Sequence, residues 1–156
     1  MLDWQDIVLR LGAATLAGAA IGLNRDLHSK PIGLRTLGLV GLAAAMVVVL
    51  EESSGNPDPR IIQGILTGVG FLGAGVIIHA DQNLRIRGLT SAACTWLTAC
   101  IGIMCGAGQW KIVAVGLGIA FIVLIAGGRA EAWLHGALGG RDYPAEDSAK
   151  PDPPTT

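Results

Sequence analysis

The sequence predicts an all-α protein, a polytopic membrane helical bundle with about five transmembrane helices. Three observations carry that prediction. Apolar residues make up 51% of the chain and charged residues only 15%, where soluble domains carry about a quarter charged. The apolar residues lie in long unbroken blocks, not in the alternating or 3.6-residue patterns that keep one face of an element wet. Five of these blocks approach the length of about 20 residues that a helix needs to cross about 30 Å of hydrocarbon.

The first block runs from about Trp4 to Leu23 and is interrupted by Arg10, one turn after Asp6, so the two can pair at i,i+4 near the membrane surface. It is short and rich in small residues, as a secretory signal would be. Its leader MLDWQD, however, carries two acids and no base, where a signal needs a positive start. It is expected to remain as a helix of the mature protein. The second block, about Ile32 to Leu50, has Arg35 near its start; the third, Ile61 to Ile78, has no charge; the fourth spans about Gly88 to Gly108 and the fifth about Trp110 to Gly127. Residues 1–128 thus form the expected transmembrane domain. Residues 129–156 read as an interfacial segment followed by a tail whose Pro, acids and small polar residues bury too little to order.

Lys and Arg counts in the short loops set the expected orientation. Arg25, Lys30 and Arg35 follow the first block, Arg85 and Arg87 the third, and Arg129 the fifth, while the alternate loops hold only Arg60 and Lys111. The basic loops share one face, which puts the N-terminus outside and the C-terminus in the cytoplasm. With 11 Lys plus Arg against 12 Asp plus Glu, the charge total implies no nucleic-acid partner. Cys94, Cys100 and Cys105 lack metal-ligand spacing and read as small packing residues. His28, His79 and His135 are scattered and form no ligand set. Trp4, Trp110 and Trp133 fit interfacial anchoring, whereas Trp96 lies deeper and needs a partner for its indole N–H. No cofactor is expected, and no nucleophile, base or carboxylate pair argues for an enzyme.

The third block contains GVGFLG, Gly68 to Gly73, a literal match to the dinucleotide fingerprint. That motif needs a preceding strand and an acid about twenty residues later, but Asp81 comes too early and the next acid is Glu131. The glycines have another use. In lipid, helices associate through small residues that let backbones approach. Gly64, Gly68 and Gly75 share one face of the third helix, with Gly70 and Gly73 on a neighbouring face. Ala14, Gly18 and Gly22 line the first, and Cys94, Thr98, Gly102 and Gly106 the fourth. These stripes are expected to be helix-packing faces.

Three ordered segments, GAAIGLNRDLHSKPIGLRTLGLVGLAA (18–44), GVGFLGAGVI (68–77) and RIRGLTSAACTWLTACIGIMCGAG (85–108), together resemble the MgtC/SapB family of bacterial inner-membrane proteins. They cover about half the chain. The resemblance implies a multi-helix inner-membrane protein tied to adaptation to low magnesium and, in intracellular pathogens, to survival in the host. The chain departs from the family at Asn24, where an acid is frequent, at Asp26, where Glu is usual, and at Leu37, often His. Longer members append a soluble C-terminal domain, in whose place this chain has the expected disordered tail; regulation through that domain would be lost or supplied by another protein.

Magnesium favours oxygen ligands, usually one or two carboxylates with water retained. No Asp or Glu lies deep in the five blocks, where acids would mark an ion pathway. The loop EESSGNPDPR could attract divalent cations weakly, or be simply solvated. A channel lined by Thr67, Thr90, Ser91, Thr95 or Thr98 would need an oligomer or a broken helix. Within the family-like motifs, Arg25, Asp26, Arg35 and Arg87 fall at one membrane depth. They are the candidate polar pocket, with Asp26 pairing to Arg35 or Arg87 and with Thr36 and Thr90 in support. The expected partners are the lipid bilayer and either a membrane protein or a second copy of the chain; magnesium contact is left open at this level.

Overall fold

The computed structural model describes residues 2–28, 30, 32–55, 58–78 and 88–138, with side chains described up to residue 127, residue 78 excepted. Among the described residues the chain is entirely helical: α1 (Trp4–Leu27), α2 (Leu34–Ser54), α3 (Pro59–Ile78), α4 (Leu89–Gly106) and α5 (Trp110–Leu138). All five are long and apolar enough to cross a membrane. Arg87, His79 and Asp81, and the tail beyond Leu138, lie outside the described residues.

The helix ends follow from local chemistry. Asp3 caps α1 through Trp4 N at 2.8 Å, and Asp6 lies in the first turn near the positive end of the helix dipole. The turn after α1 is closed by Lys30 N donating to Arg25 O at 3.1 Å. α2 ends at Gly55, whose φ of 74° is a left-handed cap that side chains with a Cβ rarely adopt. Pro59 starts α3 at the position where a missing N–H costs nothing, and Asp58 accepts from Arg60 N at 2.9 Å. Past Gly127, α5 continues through RAEAWLHGAL to Leu138, well beyond the apolar block, because Ala, Glu and Leu favour the helix and Pro is absent until Pro144.

The chain divides into two compact units, Met1–Phe121 and Ile122–Thr156. In the first, α1 and α2 form an antiparallel hairpin, and α4 packs against α1, α2 and α3. Ala44, Val69, Ala99 and Ile103 make its apolar core, with Ile21 and Leu37 fully buried beside it. The described part of the second unit is the end of α5, where Ile122, Val123 and Ile125 are exposed. Exposed apolar side chains of this kind on α1, α2, α3 and α5 form surfaces that contact the lipid bilayer.

Backbone-to-backbone contact at glycine holds the first unit together. A Cβ added at Gly102 would lie 2.5 Å from Gly41 O, at Gly22 2.5 Å from Leu34 Cα, and at Gly106 2.8 Å from Ala45 O; at Gly18 it would collide with Leu37 O. Such approaches maximise van der Waals contact where no hydrophobic driving force separates helix from lipid. The expected stripe on α3 behaves differently. Gly73 makes ordinary contact with Ala92 of α4 at 3.6 Å, but among the described residues an added Cβ at Gly64, Gly68, Gly70 or Gly75 meets nothing within 4 Å. Among the described residues, α3 turns Val69 and Gly73 toward α4 instead. The larger contribution comes from α2, whose Gly41 lies 2.6 Å, measured from an added Cβ, from Ala14 O; the run GLVGLAAA is the sequence signal for it.

Candidate functional site

The expected polar pocket lies at the end of the bundle where α1 stops and α2 and α4 start. Arg25, in the last turn of α1, is 5% exposed. Its Nη2 donates to Ser91 Oγ in the first turn of α4, and its Nε is buried with no partner. Burying a guanidinium is costly without a carboxylate, and among the described residues none pairs with Arg25.

Asp26 does not pair with Arg35. Its Oδ2 instead accepts from Leu34 N at 2.9 Å and caps α2, with Gly33 so close that a Cβ there would collide with the carboxylate. The physical reason is that the first amides of a helix have no internal acceptor, and a short carboxylate satisfies one at less entropic cost than ordering a long arginine. Arg35 and Thr36 are exposed in the first turn of α2 and Thr90 is exposed in that of α4. Arg25 is thus the one described member of the expected set that points into the bundle, and its partner is Ser91. The signal for Ser91 was its position at i,i+4 and i+7 from Thr95 and Thr98, which places all three on one helix face.

That face is buried. Thr95 Oγ1 donates to Ser91 O at 2.9 Å, while Thr98 Oγ1 is buried with no hydrogen-bond partner. Thr67 and Thr90 are exposed on other surfaces, so the hydroxyls considered for a channel do not line one path through the chain. Beyond Thr98, Gly102 of α4 meets Gly41 of α2 backbone to backbone. Trp96, expected to need an indole partner, is 48% exposed on the outer side of α4.

A second polar cluster sits at the opposite end. Arg10 pairs with Asp6 at 2.9 Å, as its spacing predicts, and also with Glu52 of α2, and it donates to Gly106 O of α4 at 2.8 Å. One guanidinium thus ties three helices. Beside it is a cavity of about 320 Å³ lined by Val48, Glu51, Glu52, Asp58, Ile61 and Ala107, among others. Glu52 is neutralised by Arg10, and Glu51 accepts from Asp58 N. Among the described residues no three His, Cys, Asp or Glu side chains converge as metal ligands would. Cys94 and Cys105 are buried, Cys100 partly so, and all three are free thiols.

Residues 11–133 match the model of the MgtC family. Among curated proteins the chain is similar to SrpB of Synechococcus elongatus, 36% identical over 85% of this chain and 82% of SrpB. It is similar to MgtC of Salmonella typhimurium, 46% identical over 67% of this chain and 45% of MgtC. It is also similar to YhiD of Escherichia coli, whose name proposes magnesium transport, at 36% identity over 76% of this chain and 59% of YhiD. The chain therefore spans most of SrpB but only about half the length of MgtC and YhiD. No solved structure matches it.

Proposed function

The chain belongs to the MgtC family, and from that premise we propose that it is a non-enzymatic protein of the bacterial inner membrane that supports adaptation to low magnesium by acting on a membrane partner. Its N-terminus lies outside and its C-terminus in the cytoplasm, the arrangement favoured by the basic loops. The observation that carries the reading is that, among the described residues, acids keep to the helix ends. Asp6, Asp26, Glu51, Glu52 and Asp58 all sit at or beyond helix ends, and Gly102 meets Gly41 backbone to backbone. Among the described residues, the spans hold no midplane carboxylate of the kind that marks an ion pathway. What the chain offers is surface: the outward glycines of α3, Gly64 and Gly68, share a face on which another helix can pack closely. A second copy of the chain is the alternative occupant of that face.

A strain deleted for the gene should grow normally in ample magnesium and poorly when magnesium is limiting, with growth restored by the intact chain. Unimpaired growth of the deletion strain at limiting magnesium would remove the reading. Direct transport is the second reading, favoured by the name given to YhiD and by the buried hydroxyl strip of α4. Purified protein in liposomes would then pass magnesium above the rate of empty vesicles, and equal rates would exclude it.

A further inference from the structure

We propose that Arg25 and the first turn of α4 form a binding site for a phosphate group at the membrane–water boundary. Four observations converge on this place. Arg25 is nineteen-twentieths buried, at 5% exposure, yet among the described residues it has no carboxylate partner. Its Nε–H is buried and unpartnered. Its Nη2 reaches Ser91, so Ser91 Oγ acts as acceptor and keeps its own proton to donate elsewhere. The helix that Ser91 opens has glycine at its N-cap, with φ 89° and no side-chain hydrogen bond, and Ala92 N is already taken by Gly88 O. The amides of Leu89, Thr90 and Ser91 therefore precede any internal acceptor.

The result is a guanidinium set against the positive end of an 18-residue helix, and among the described residues no carboxylate pairs with it. The carboxylate nearest in sequence, Asp26, is engaged at Leu34 N on α2. An oxyanion with several acceptor oxygens answers this donor set: one oxygen for the arginine fork, others for the serine hydroxyl and helix amides. Thr90, exposed in the same turn, marks the side from which it enters. The depth, at the end of one spanning helix and the start of another, is that of phospholipid headgroups, and Arg35 at the same end adds to their attraction. The phosphate can come from an anionic phospholipid or from free inorganic phosphate. The proposal does not depend on the magnesium reading.

The test uses the full chain in a maltoside detergent, which carries no phosphate, with the thermal unfolding midpoint followed by circular dichroism. The probes are phosphatidylglycerol, diacylglycerol as its phosphate-free control, and inorganic phosphate. A saturable rise in midpoint with phosphatidylglycerol but not diacylglycerol assigns the site to the headgroup; one with inorganic phosphate assigns it to the free ion. In either case Arg25→Lys, which loses the planar fork, and Ser91→Ala should weaken apparent affinity at least tenfold while keeping the helical spectrum. If Arg25→Lys does not fold, Ser91→Ala carries the comparison. No saturable rise with either phosphate probe, or a rise of unchanged affinity in the folded variants, overturns the proposal.

Discussion

Helices α3 and α4 carry almost the same kind of small-residue pattern and have opposite environments. In α4, 56% of the spanning window is buried; in α3, 11%. The glycines of α4 touch the backbone of α2 at distances a methyl group could not enter, while Gly64, Gly68 and Gly70 of α3 face open surroundings. A glycine stripe therefore states that close approach is permitted, not that it occurs. What α4 has in addition is a set of polar anchors at both ends, Arg25 on Ser91 and Arg10 on Gly106 O, which fix it against α1 and α2. Among the described residues, side-chain hydrogen bonds of α3 stay local, such as Thr67 Oγ1 to Gln63 O at 2.8 Å.

The sharpest way to break this comparison is to enlarge one glycine in each helix. Gly102→Leu should cost about 3 kcal/mol or more because the obstacle is the Gly41 carbonyl and not a flexible side chain; a thermal midpoint in detergent equal to that of the parent would show that the α2–α4 contact is not required. Next in size is Arg10→Ala, which strands Glu52 and frees Gly106 O. A loss of about 2 kcal/mol is expected, less than for a fully buried pair because Glu52 is 46% exposed. Thr98→Val removes a buried hydroxyl that has no partner while keeping its shape, so stability should rise by up to about 1 kcal/mol; a fall would reveal a partner for that oxygen in the membrane. Gly68→Leu should change stability by no more than about 0.5 kcal/mol. If α3 docks a partner, the same variant should nevertheless fail to restore growth at limiting magnesium, and full restoration would sever the outward glycines from function.

Much of the fold was legible because its determinants are local or set by the solvent. Block lengths specified five spans. The Asp6–Arg10 pair followed from helix periodicity alone. The candidate site was less legible. Asp26 and Arg35 are close in sequence and opposite in charge, yet the carboxylate goes to a backbone amide, because which orphan donor it meets depends on how the α1–α2 turn folds. Ser91 was recognisable as one of a row of hydroxyls, but not as the acceptor for Arg25 from a helix 66 positions away in the chain.

By itself the sequence determined the spanning helices and the basic and acidic rims, since each is dictated by the thickness of the apolar slab or by where charge can stay in water. Only the tertiary structure decided which glycine faces meet, that α2 supplies the backbone against which α4 seats, and that Arg25 is drawn inward while Arg35 stays outside. The physical reason is that in lipid one greasy helix face is nearly equivalent to another. The choice among them falls to a few backbone approaches and end-of-helix hydrogen bonds whose partners are distant in the chain.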